Sequence, residues 1–140
     1  MARSIVSEVI RHKTVVHLTG GASVSEAARL MHKHKVGSVL IVENARLEGI
    51  LTVADITYRV VAEGRNPDET SLAEVMTPHP DTVGPDCSAI DALRLMHDGG
   101  FRHLPVVQGG TVLGVVSRGD FHGAEKARLD EETHLWERIG

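Results

Sequence analysis

At 140 residues the chain is long enough for one compact domain that buries about 68 to 70% of the surface its unfolded form would expose. Its 41% hydrophobic and 24% charged residues exclude wholesale disorder. A net charge of −4 and only four aromatic residues, Tyr58, Phe101, Phe121 and Trp136, argue against a general nucleic-acid binder, which needs a cationic surplus and a stacking platform.

The first thirteen residues place Ser4, Ser7, Glu8 and Arg11 within any candidate signal core, and no apolar run reaches the roughly 18 to 20 residues of a membrane span. The lone Cys87 has no partner for an internal disulfide or a ligand pair, which fits a reducing compartment. These features together place the protein in the cytoplasm. The head carries an apolar stripe, Ile5, Val6, Val9 and Ile10, that predicts a leading helix packed on a core.

From residue 18 the sequence meets itself again, because residues 18–56 align without a gap on residues 83–121, 65 positions on. Ser23, Ala27, Arg29, Leu30, Met31, His32, Val42, Gly49 and Asp55 are identical to Ser88, Ala92, Arg94, Leu95, Met96, His97, Val107, Gly114 and Asp120. Ordinary composition would give about two or three such identities. After a slip of one residue, Glu8-Val9-Ile10 also matches Glu74-Val75-Met76.

Each copy predicts the same succession. A short extended piece, 15–18 or 81–83, leads to Ser23 or Ser88, a helix N-cap with Glu26 or Asp91 three residues later to complete a capping box. Apolar residues at helical spacing follow, Val24, Ala27, Leu30 and Met31, then Ala89, Ala92, Leu93 and Met96, with Gly37 and Gly99-Gly100 as stops. Two β-rich runs joined by a tight turn come next, 38–42 with 47–52 and 103–107 with 112–117. A second helix starts near Thr52 and near Ser117.

This divides the chain into a first repeat with its leading helix (1–64), a linker (65–71), a second repeat (72–123) and a charged, helix-prone tail (124–140) bearing Leu135, Trp136 and Ile139 on one side. The fold class is α/β (α+β). Two β-α-β-β-α units, each with a sheet face that one layer cannot cover, are expected to pack about a pseudo-twofold axis and to leave two related clefts.

With the repeat in hand, the sequence resembles a tandem pair of CBS domains, a Bateman module. Val75-Met76-Thr77-Pro78, the run from Phe101 through Arg102, His103, Leu104, Pro105 and Val106 to Val107, and the ending Gly114-Val115-Val116-Ser117-Arg118-Gly119-Asp120 carry the likeness. The first copy departs from the pattern, with Leu40 in place of the proline seen at Pro105 and Arg11-His12 in place of Thr-Pro. The likeness spans nearly the whole chain and suggests a small stand-alone module.

The resemblance implies a regulatory module that binds adenosine-containing ligands, AMP, ADP or ATP foremost, between the repeats, with no cofactor required. It implies ribose recognition by Asp55 and Asp120, phosphate contacts by Thr52 and Ser117, and adenine packing along Val39, Leu40 and Ile41 or Leu104, Pro105 and Val106, partly through backbone. Arg102 and His103 would reach the phosphates held by the other repeat, which favours the Asp55 side for a charged nucleotide, whereas the Asp120 side is less basic, helped only by Arg118 and by Lys33 or Lys35. The chemistry suits the residues, since charge-assisted hydrogen bonds from a cis-diol to a carboxylate contribute about 1.5 to 3 kcal/mol each.

A homodimer and a regulated protein partner are expected; a membrane, nucleic acid and a metal are not, for His32-x-His34 cannot share one helix face. No paired carboxylates, phosphate loop or nucleophile elbow argues for an enzyme. The same Thr52-x-x-Asp55 and Ser117-x-x-Asp120 spacing also fits capping boxes that need no ligand, so a ligand-free dimerisation or scaffold module is the alternative. Cys87, just before a capping serine, is either an inert filler or a thiol acidified by the helix start.

Overall fold

The computed structural model describes Val6, Ile10 and residues 14–121; the expected tail and most of the expected leading helix lie outside the described residues. Among the described residues the chain forms two compact units, one of Thr14–Asp81 with Gly109–Val112, the other of Thr82–Gln108 and residues 113–121 together with Val6 and Ile10.

In the first-copy unit, β1 (His17–Leu18) runs parallel to β2 (Ser38–Glu43), which pairs antiparallel with β3 (Arg46–Thr52), and β3 pairs antiparallel with β4 (Thr77–Pro78). Helix Val24–His34 crosses from β1 to β2. Ser23 caps it by accepting from the Glu26 N–H at 3.1 Å. The helix ends two residues earlier than Gly37 suggests, because Lys35 itself takes the left-handed conformation (φ 56°) and donates its N–H to Met31.

The β2–β3 turn is two residues long, Asn44 and Ala45, both at positive φ, the geometry that matches strand twist in a tight hairpin. Val16, Val24, Ala27, Met31, Val39, Ile41, Leu51, Val60, Leu72 and Val75 form the core.

The second sequence copy repeats this plan. Helix Ala89–Gly99 is capped by Ser88, which accepts from the Asp91 N–H at 3.2 Å, and closes on Gly100 at φ 72°. The reciprocal arm expected of a capping box does not form here, since the Asp91 carboxylate turns to Arg94 at 3.6 Å. Strands β5 (His103–Gln108) and β6 (Thr111–Ser117) form a hairpin over Gly109-Gly110, both at positive φ, and Val83 bridges in parallel to Val106 as β1 does to β2.

The leading segments are exchanged between copies. Val6 and Ile10 join the core of Ala89, Leu93, Met96, Leu104 and Val116, and Val6 donates its N–H to Cys87 at 3.0 Å. Helix Leu72–Val75, which begins the second sequence copy, belongs to the first-copy core, and Leu72 donates its N–H to Ala22 at 2.9 Å. Ala22 and Cys87 occupy equivalent positions, so the same bond is made twice.

Glycine at the matching strand positions permits this. A Cβ on Gly49 would come within 2.9 Å of Met76 Cγ and of the Thr77 carbonyl, and one on Gly114 within 2.9 Å of Ile10 Cδ1. The linker is structured as well: Asn66 Oδ1 accepts from the Asp68 N–H, Thr70 is buried, and Ser71 with Glu74 forms a capping box.

Candidate functional site

At the end of β3 the chain turns from strand to helix within one residue. Thr52 is extended (φ −112°, ψ 167°) and Val53 begins a helix over Val53–Ile56 that widens into a π-helical turn, Thr57–Val61. Thr52 Oγ1 accepts from the Asp55 N–H at 3.2 Å, and Asp55 Oδ2 accepts from the Thr52 N–H at 2.9 Å. The Val53 N–H donates to the Gly37 carbonyl at 3.2 Å, tying the turn to the start of β2.

The second copy builds the same turn on Ser117 (φ −114°, ψ 159°), with Asp120 Oδ2 accepting from the Ser117 N–H at 2.7 Å and the Arg118 N–H donating to the Arg102 carbonyl at 2.9 Å. Here the helix is a single 3-10 turn, Arg118–Asp120, followed by Phe121 in extended conformation.

A carboxylate offers about four lone-pair sites, of which the cap consumes one. Asp55 is half-buried, which limits water's competition for its remaining oxygen, and Oδ1 faces Arg59 Nη2 at 3.6 Å. Arg59 in turn donates from Nη1 to the Val75 carbonyl at 2.9 Å. Beside it an open pocket of about 440 Å³ is lined by Tyr58, Arg59, Arg65 and Glu74 among others. Arg65 pairs there with Glu74 Oε1 at 2.9 Å. The Glu74 carboxyl is held below its ordinary value near 4.5, chiefly by the hydrogen bond from the Ser71 amide and then by the Ser71 hydroxyl and Arg65. Sequence reasoning missed Arg59, although its place four residues after Asp55 on a helix is the signal of an ion pair.

The strand residues expected against adenine are all buried. The side chains of Val39, Ile41, Leu104 and Val106 have no exposed surface and fill the helix-side cores, because alternate strand residues point to one face. Leu40 and Pro105, buried too, alternate with them. The carbonyl of Pro105 accepts from the Val83 N–H at 3.0 Å, and the Leu40 N–H donates to Val16 at 2.9 Å. Arg102 is exposed, and His103 and Arg118 are half-buried.

Cys87 is not acidified. Burial pushes its thiol above the ordinary value, and the Asp91 carboxylate adds to the rise. Among the described residues no group of three or more His, Cys, Asp and Glu side chains could hold a metal ion, and no helix is long and apolar enough to cross a membrane.

Two units with the same strand–helix–hairpin plan and the same capped aspartate match a known family model, that of the CBS domain, over residues 6–62 and again over 72–126. The chain is a tandem pair of CBS domains. Among curated relatives, it is 41% identical over 108 residues to the CBS domain-containing protein CBSCBSPB2 of Arabidopsis thaliana, covering 76% of this chain and 20% of that protein. It thus spans about a fifth of the Arabidopsis relatives it matches. The CBS domain-containing protein YhcV of Bacillus subtilis is 37% identical over 76% of this chain and 75% of its own. Among solved structures, the CBS domain protein PAE2072 of Pyrobaculum aerophilum, complexed with AMP, is 25% identical with a TM-score of 0.79, over 93% of this chain and 99% of that one. As a CBS tandem the chain is a regulatory module.

Proposed function

We propose that this CBS pair binds an adenine nucleotide of the AMP, ADP or ATP class, with Asp55 and Asp120 gripping the ribose diol and Thr52 and Ser117 flanking the phosphate. The observation that carries the reading is the duplicated turn, in which each aspartate is fixed by one oxygen to the last strand amide, at 2.9 Å for Asp55 and 2.7 Å for Asp120. A carboxylate held in this way is preorganised, so little is lost in ordering it when a diol arrives. The AMP complex of PAE2072 supports the choice of ligand class. Arg102, His103 and Arg118 supply cationic or donor groups for phosphate, and the backbone along Val39, Leu40, Ile41, Leu104, Pro105 and Val106 borders the adenine. The module works in the cytoplasm, as a homodimer acting on a partner protein, without catalysis of its own.

Calorimetry with AMP, ADP, ATP, NAD and S-adenosylmethionine tests this on the wild type, Asp55→Ala and Asp120→Ala. Dissociation constants between micromolar and millimolar, about −8 to −4 kcal/mol, are expected for a sensor of cellular nucleotides. Loss of binding in one or both variants supports the reading, and absence of heat with every ligand on the wild type refutes it.

The completed capping geometry favours a second reading, a ligand-free scaffold in which both aspartates only hold the turns. Exposed Val53, Tyr58 and Val61, at 53, 70 and 68% exposure, would then serve self-association. This reading requires Asp55→Ala to lower stability by about 0.5 to 2 kcal/mol equally with and without nucleotide.

A further inference from the structure

Arg59 stands between two structures that the sequence keeps sixteen or more residues apart. One guanidinium nitrogen faces Asp55 Oδ1 at 3.6 Å, and the other donates to the Val75 carbonyl at 2.9 Å. Val75 is the last residue of helix Leu72–Val75, where carbonyls lack intrahelical donors, so the arginine supplies a missing partner. A planar guanidinium is suited to holding two acceptors at once, as a lysine is not.

The link also closes a circuit. Met76 lies against Gly49, and β4 pairs with Gly49 and Ile50 of β3, two residues before Thr52. Thr52 is bound to Asp55, Asp55 faces Arg59, and Arg59 returns to Val75. Arg59 itself rides on the π-helical turn Thr57–Val61, an arrangement found often where a helix serves a function. The residue four past Asp120 is Ala124, so the second copy has no arginine at the matching place.

We propose that Arg59 is a positioning residue that couples the Asp55 carboxylate to the segment Leu72–Pro78, so that a ligand taking Asp55 Oδ1 loosens that segment. The proposal rests on the nucleotide reading of Asp55. A diol competes with Arg59 for the same oxygen, and the released guanidinium no longer pins the Val75 carbonyl.

Hydrogen exchange on the full chain, with and without AMP, is the test. The Met76 amide, bonded to Leu72 at 2.8 Å, is the reporter. AMP is expected to raise its exchange by about three- to tenfold in the wild type, the equivalent of weakening one hydrogen bond. Arg59→Ala should show the faster exchange already without AMP and no further response, while Arg59→Lys, able to keep one partner, should lie between them. An AMP response in Arg59→Ala equal to that of the wild type, or unchanged ligand-free exchange, overturns the coupling. Calorimetry with AMP on the wild type separates this failure from that of the broader reading: heat without an exchange response removes the coupling alone, whereas no heat removes the nucleotide at Asp55 and the coupling with it.

Discussion

Replacing Gly49 by alanine probes the exchange of leading segments directly. The added Cβ would meet the Met76 sulfur, with Met76 Cγ and the Thr77 carbonyl oxygen each at 2.9 Å. Methionine can move aside, but the Thr77 carbonyl belongs to β4, whose pairing with Gly49 and Ile50 fixes it. Two effects oppose one another. Alanine removes backbone freedom from the unfolded chain and gains about 0.5 to 1 kcal/mol in a strand, whereas overpacking against backbone costs about 1 to 3 kcal/mol. The overpacking wins, and a net loss of about 1 to 2 kcal/mol is expected, or a fall in Tm of about 3 to 8 °C. Differential scanning calorimetry or urea unfolding measures it. Gly21→Ala, where a Cβ meets nothing within 4 Å, is the control and should leave stability within about 0.5 kcal/mol of the parent. Adding Met76→Ala to Gly49→Ala should recover little, since the carbonyl contact persists. A neutral Gly49→Ala, or full rescue by the second change, would refute the account of a strand glycine selected for close backbone approach.

Glu74 ionises more readily folded than unfolded, so its contribution is complete above about pH 4.5 and disappears as acid takes the pH through the lowered folded value. Thermal melts from pH 7 to pH 3 should therefore show a shallower acid loss in Glu74→Gln than in the wild type; parallel curves would contradict the Ser71 and Arg65 contacts. The raised Cys87 thiol predicts slow labelling by a disulfide reagent at pH 7, with the rate climbing about tenfold per pH unit towards pH 9. A plateau below pH 8 would show a thiol of lower pKa. In the cores, Leu51→Ala and Leu93→Ala should each cost about 2 to 5 kcal/mol in denaturant unfolding, because both side chains are fully buried and their neighbours cannot close the gap. A loss below about 1 kcal/mol at either position would mean that the core there relaxes freely.

Short-range chemistry explains what could be read along the chain. Ser23 and Ser88 announce helices because their hydroxyls reach amides three residues on, and Gly109-Gly110 announces a hairpin because its backbone tolerates positive φ. Asn44-Ala45 performs the same turn with less warning, and Lys35 rather than Gly37 closes the first helix. The aspartates at 55 and 120 were visible as repeated positions, and both the cap and the ligand-binding interpretations follow from one spacing. The inward burial of Val39, Ile41, Leu104 and Val106 follows from strand alternation once the helix face is known.

By itself the sequence determined two like units, their elements, their caps and the pair of capped acids, since each depends on residues within a few positions or on the repeat at 65. Only the tertiary structure decided that Val6 and Ile10 serve the second copy's core while Leu72 and Met76 serve the first, and that Arg59 meets the Val75 carbonyl. Gly49 and Gly114 present the same small surface, so nothing local tells a leading segment which to occupy. That selection is made by chain connectivity and by contacts closed over long loops.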